Sequence, residues 1–104
     1  MGTLLLDQYS LLHFATGIVA YFFNISFKWW ITLHTIFEIV ENTNVGIMFI
    51  NKYLPIWPGG KPFPDSIINR IGDTISTAIG WIIAYLLDKY GTNSGWYPPH
   101  LNNI

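Results

Sequence analysis

Cysteine is absent from the 104-residue chain, which excludes disulfide stapling, thiolate metal ligation and thiol catalysis. Charge is scarce as well. Five Lys and Arg and six Asp and Glu make 11% of the residues, against about 25% in an ordinary soluble domain. A small chain exposes much surface for its volume and needs more polar surface than average, not less. The formal balance of −1 lacks the basic footprint that nucleic-acid binding requires, so no nucleic-acid partner is expected. No basic region precedes the first apolar run and no small-residue cleavage site follows it, so that run is expected to be retained. Repeats and low-complexity tracts are missing too, and the length allows one domain.

What is present is apolar: 51% hydrophobic and 17% aromatic residues. Between Asp7 and Lys28 there is no Asp, Glu, Lys or Arg, and a stretch of about 20 such residues is long enough to cross a bilayer core. Counting apolar runs in this way predicts three membrane spans, over about 5–24, 27–43 and 65–87. Asn42-Thr43-Asn44-Val45-Gly46 carries helix-stopping chemistry. The apolar run from Ile47 to Leu54 is too short to cross and is expected to lie at an interface. Residues 55–64 hold four prolines and two glycines, so that segment is neither helix nor central strand. Trp57 and Lys61 belong to this loop, which reads as a rigid link in preference to a lid. Asp65 or Ser66 is placed to cap the third helix. The expectation is an all-α integral membrane bundle of three transmembrane helices within 1–90, with a short interfacial segment, a Pro/Gly-rich loop and an irregular interfacial tail over 91–104. Its implied partners are the lipid bilayer and a homo-oligomer or larger membrane assembly.

Spacing at 100° per residue gives each helix one polar face. His13, Thr16, Gly17 and Ala20 share a face of the first. His34, Glu38, Glu41 and Asn42 share a face of the second. On the third, Asp65, Ser66, Asn69, Arg70, Gly72, Asp73, Ser76, Thr77, Gly80 and Ala84 fall together, opposite a row of isoleucines. The series Gly72, Ser76, Gly80 and Ala84 lets backbones approach closely.

The polar faces carry the functional question. Buried ionisable groups are costly and need a reason. His34, Glu38 and Glu41 on one helix face, with Asp73 to complete the set, suit a divalent metal. Glu38, Glu41 and Asp73 also suit general acid–base work on a lipid or lipid-linked substrate, and His13, Asn42, Asp65, Ser66, Asn69 and Arg70 would form the polar core around them. A proton, ion or small-solute path along the same groups is a second reading. The main rival to a site is a structural component of a larger membrane assembly, with a purely structural network in which Arg70 pairs with Glu41 or Asp73, as buried polar networks often do.

At these residues the sequence resembles the VanZ-like group of small membrane proteins and an uncharacterised relative of similar layout. The elements are Asp7 with His13-Phe14, then Phe37-Glu38-Ile39-Val40-Glu41-Asn42, then Pro64-Asp65-Ser66-Ile67-Ile68-Asn69-Arg70-Ile71-Gly72-Asp73, followed by Gly80. The chain departs from the namesake at Glu41-Asn42 and has fewer spans. The resemblance implies a polytopic membrane protein with Glu38, Glu41, Asn42, Asp65, Ser66, Asn69 and Asp73 as its signature core, and it implies no particular reaction.

Overall fold

Residues 2–58 and 60–100 are described in the computed structural model, so Gly59 of the Pro/Gly loop and positions 101–104 of the expected tail lie outside the described residues. Four helices are present among them: α1 (Ser10–Phe22), α2 (Phe27–Glu41), α3 (Asn44–Tyr53) and α4 (Ile67–Asn93).

Local chemistry sets each boundary. Before α1, Asp7 and Ser10 exchange a turn: the Asp7 N–H donates to Ser10 Oγ at 2.9 Å and the Tyr9 N–H to Asp7 Oδ1 at 2.9 Å. α1 stops at Asn24, which has φ +65°, and the Ile25 N–H returns to the Ala20 carbonyl in the left-handed C-terminal closure that Asn tolerates. Ser26, Thr43 and Ser66 then cap α2, α3 and α4, each accepting from an N–H three residues on. These caps satisfy donors that no helix can satisfy internally.

α1 and α4 lie side by side, running in the same direction, and touch backbone to backbone. A Cβ on Gly17 would overlap the Thr77 carbonyl oxygen, and one on Gly80 would overlap that of Phe14. Each helix therefore seats a glycine under a carbonyl of the other. Thr77 joins three helices: its hydroxyl meets Thr16 Oγ1 at 3.0 Å and accepts from Trp30 Nε1 at 2.9 Å. Beyond this contact Tyr21 is buried and donates its hydroxyl to Asp88, whose other oxygen accepts the His100 N–H at 3.2 Å. α2 crosses back antiparallel to both, and α3 packs against its end through Ile47.

The three expected membrane spans are corrected here. No helix among the described residues is long and apolar enough to cross a membrane. The apolar run after Asp7 is broken at both ends, because the Asp7–Ser10 turn delays the helix and Asn24 ends it. The 13 residues of α1 span about 20 Å and the 15 of α2 about 22 Å, short of a core of about 30 Å. α4 has length enough at 27 residues, but Asn69, Arg70, Asp73, Ser76 and Thr77 crowd its first half and Asp88-Lys89 its second. The short segment read as interfacial is the capped helix α3. The buried face of α4 is polar and small (Asn69, Gly72, Asp73, Ser76, Thr77, Gly80, Ala84), while Ile67, Ile68, Ile71, Ile75 and Ile79 are exposed.

Candidate functional site

The site forms where α1, α2 and the start of α4 converge. α2 contributes His34, Glu38 and Glu41, its only buried residues, spaced so that one face carries all three. α1 adds His13 and α4 adds Asp73. Three atoms make a compact triangle: His13 Nδ1 lies 2.9 Å from His34 Nε2 and 3.6 Å from Glu38 Oε1, and the last two are 3.7 Å apart. A point about 2 Å from all three exists close to their plane, and that is the length of a zinc–nitrogen or zinc–oxygen bond. The other nitrogen of His13, Nε2, is 3.3 Å from Asp73 Oδ2. A carboxylate behind the far nitrogen of a ligating imidazole is the usual orienting contact at metal centres.

Several buried polar atoms in this group have no hydrogen-bond partner: Glu38 Oε1, Asp73 Oδ1, Glu41 Oε2 and His34 Nδ1. Leaving such groups unpaired costs about 1–3 kcal/mol each. Their titration is displaced accordingly. Burial, then the neighbouring Asp73 and Glu41 charges, pushes Glu38 up to about 8, and burial pushes Asp73 up to about 7. Burial and the adjacent His13 push His34 down to about 4, and burial also lowers His13. Burial thus favours the neutral carboxyl form of Glu38 and Asp73 and the neutral imidazole form of His13 and His34, and one imidazole N–H lies in the 2.9 Å hydrogen bond between His13 Nδ1 and His34 Nε2.

A few residues away the same acidic character is satisfied internally. Lys61 is buried, with Nζ 2.6 Å from Asp65 Oδ2 and 3.5 Å from Glu41 Oε1. Asn51 on α3 turns it inward: its amide donates to the Lys61 carbonyl at 2.7 Å and accepts the Lys61 N–H at 3.2 Å. Asn42 links α2 to the loop, donating to the Glu38 carbonyl at 2.8 Å and to Glu38 Oε2 at 3.3 Å while accepting the Asp65 N–H at 2.8 Å. Arg70 donates to the Asp65 carbonyl at 3.1 Å. It pairs with neither Glu41 nor Asp73, so the ion pair expected of Arg70 is made by Lys61. Asn69 ties α4 to the Leu4 carbonyl and Asp7, and Ser66 serves as a cap outside the cluster.

The cluster therefore divides. Lys61, Glu41, Asp65, Asn42 and Asn51 form a paired structural half. His13, His34, Glu38 and Asp73 form the other half, in which Glu38, His34 and Asp73 each keep an unpartnered atom, as Glu41 Oε2 does at the boundary between the two. Glu38 also falls within 4.8 Å of Asp65 and Asp73 through its carboxylate. Lys61 and Asn51 were missed from sequence, and the only available signal was a lone lysine within the Pro/Gly segment. A Lys61→Met chain is expected to lose about 3 kcal/mol, since the buried Glu41 and the half-buried Asp65 would lose their only cation partner among the described residues. Urea unfolding at neutral pH measures this, and unchanged stability would show that the pair contributes nothing.

A cavity of about 660 Å³ opens between α1 and α2; its lining includes His13, His34, Glu41 and Asp73 together with Asp7, Lys61, Asp65 and Asn69, and apolar side chains such as Leu12, Val19, Phe23 and Leu33. No protein-family model, curated protein or solved structure matches this chain, so the VanZ-like resemblance rests on its quoted motifs alone.

Proposed function

We propose that this protein binds one divalent transition-metal ion through His13 Nδ1, His34 Nε2 and Glu38 Oε1, and that it is a metal-dependent hydrolase of a lipid or lipid-linked substrate. The observation that carries the reading is the triangle of donor atoms with edges of 2.9, 3.6 and 3.7 Å. Two imidazoles and one carboxylate suit zinc or iron better than calcium or magnesium. Three protein ligands leave a coordination position open, as catalytic zinc sites do. In that position a cation would supply Lewis acidity and an activated water.

The remaining groups have roles that follow from their contacts. Asp73 fixes the His13 ring through Nε2 and holds it in the tautomer that frees Nδ1. Glu41 lines the cavity and keeps one buried oxygen without a partner, so it would be the group placed to exchange a proton with a water held in the cavity. Lys61 holds the other Glu41 oxygen and orients it.

Protein purified without chelator and dialysed against zinc, manganese or ferrous salt is expected to retain about one equivalent of metal per chain. His34→Ala and Glu38→Gln should each reduce this at least about tenfold, with helical content by circular dichroism unchanged. Wild-type protein that retains no metal from any of these salts would end the reading.

A further inference from the structure

We infer that the cavity between α1 and α2 is a binding site for the hydrocarbon chain of a single-chain acyl amphiphile, lying along α1 with its carbonyl head at His13 and His34. The head-group half of this inference rests on the metal reading above, whereas the chain half stands apart from it.

The charged lining of the cavity, with Lys61, Asp65 and Asn69 beside the cluster, lies on the side of His13 nearer the start of α4, and of the α1 residues that line the cavity beyond His13 only Thr16 is polar. Leu12, Ala15, Val19 and Phe23 form one stripe of α1, at the i, i+3, i+7 and i+11 spacing of a single helix face, and Leu33 and Phe37 line the opposite wall from α2. From His13 to Phe23 the stripe is about 15 Å long. That suits a medium-length alkyl chain in extended form and exceeds what a compact polar metabolite would fill. The volume of about 660 Å³ falls in the range of small-ligand sites, about 300–1,000 Å³, and the site is a groove open along Val19 and Phe23, which are exposed.

Polarity complementarity fixes the direction of the ligand. Every polar group with an unsatisfied buried atom that lines the cavity (His34, Glu41 and Asp73) sits at the same end. A head group placed there meets donors and acceptors, and a chain placed there would leave them dry. The far end, at Phe23 and Val19, offers a chain terminus only apolar contact. An acyl compound satisfies both ends at once. Its carbonyl faces the cluster, its tail follows the stripe, and the bond beside the carbonyl is the one a hydrolytic centre would act on.

Two pairs of probes separate chain from head. Dodecanol and butanol share a head that needs no metal, so their comparison reads the chain site alone. Acetohydroxamate and dodecanohydroxamate share a metal-chelating head, so acetohydroxamate reads the metal alone. Calorimetric titration of the full chain, below the solubility limit of each probe, is expected to give dodecanol at least about tenfold tighter binding than butanol. Ala15→Trp and Val19→Trp, at exposed positions that open into the cavity, should each abolish that gain while leaving metal content unchanged. Equal affinity for dodecanol and butanol would overturn the inference. So would an undiminished gain in both tryptophan variants, because the chain would then bind elsewhere on the apolar surface. If acetohydroxamate fails to bind and metal is not retained but the dodecanol gain persists and is lost in the variants, the metal reading falls and the chain site stands.

Discussion

A Gly17→Val chain is expected to lose about 3 kcal/mol of stability, a fall in Tm of about 10 °C or more for a chain of this size. The reason is what the new side chain would meet. Its Cβ would overlap the Thr77 carbonyl oxygen and crowd the Trp81 backbone nitrogen. Backbone atoms inside a helix cannot rotate aside as a side-chain terminus can, so α1 and α4 must separate. The gain in helix propensity on replacing glycine, up to about 1 kcal/mol, is too small to offset this. Separation also has a local consequence, since His13 on α1 faces Asp73 on α4 at 3.3 Å. Metal retention should therefore fall together with Tm. Ala15→Val, on the exposed side of the same helix, should change stability by no more than about 0.5 kcal/mol. Thermal unfolding of the two variants side by side decides the matter, and a Gly17→Val chain as stable as wild type would show that the helices do not meet as described.

The second large effect is an inversion of pH dependence by the cation. In the metal-free protein Glu38 and Asp73 keep protons that the unfolded chain gives up near its ordinary carboxylate range. The folded state then binds more protons, and stability falls as pH rises toward about 8. His34 acts oppositely. Its folded value near 4 lies below the unfolded 6.5, so it raises stability with pH between those limits and contributes nothing above them. Between about 6.5 and 8 the acids act alone, and metal-free protein should lose stability with rising pH. The groups that face them are Glu41, Asp65, Asp7 and Lys61, with His13, whose charged form is disfavoured by burial. A bound cation needs its ligands deprotonated, so added metal should reverse the slope. At a hundredfold excess over Kd it should add about 2.7 kcal/mol. Unfolding curves with and without zinc at three pH values in that window test this, and parallel slopes would remove the cation from the cluster.

The inward faces of α2 and α4 were legible because a helix repeats its geometry. His34, Glu38 and Glu41 fall on one side by spacing alone, and so do Asn69, Asp73, Thr77 and Gly80, all of which are buried. Helix lengths were less legible. A count of apolar residues ignores the Asp7–Ser10 turn and the left-handed Asn24, and those two features separate a helix of 13 residues from an apparent span of about 20. Charged residues near the ends of apolar runs were misplaced for a related reason. Lys61 and Asp88 mark run boundaries in the sequence, yet both are buried, one drawn in by Asn51 and the other by Tyr21. These are contacts between residues distant in the chain, and no periodicity records them. The convergence of His13 on His34 and Glu38 likewise depends on the α1–α4 register, which is fixed by glycines that carry no chemistry of their own.

Asn42 gives this arrangement a mechanical character. Its amide has a donor end and an acceptor end, the first on Glu38 and the second on the backbone at Asp65. Neither aspartate, with acceptors only, nor lysine, with donors only, could hold both. The amide acts as a rigid crank between a candidate ligand and the loop that precedes α4. A swing of the Glu38 carboxylate would pull on the Asp65 backbone through this amide, and Asp65 Oδ2 lies 2.6 Å from Lys61 Nζ. Capture of an ion between α1 and α2 would be felt as a change of tension in the Pro/Gly segment, with one side chain as the linkage.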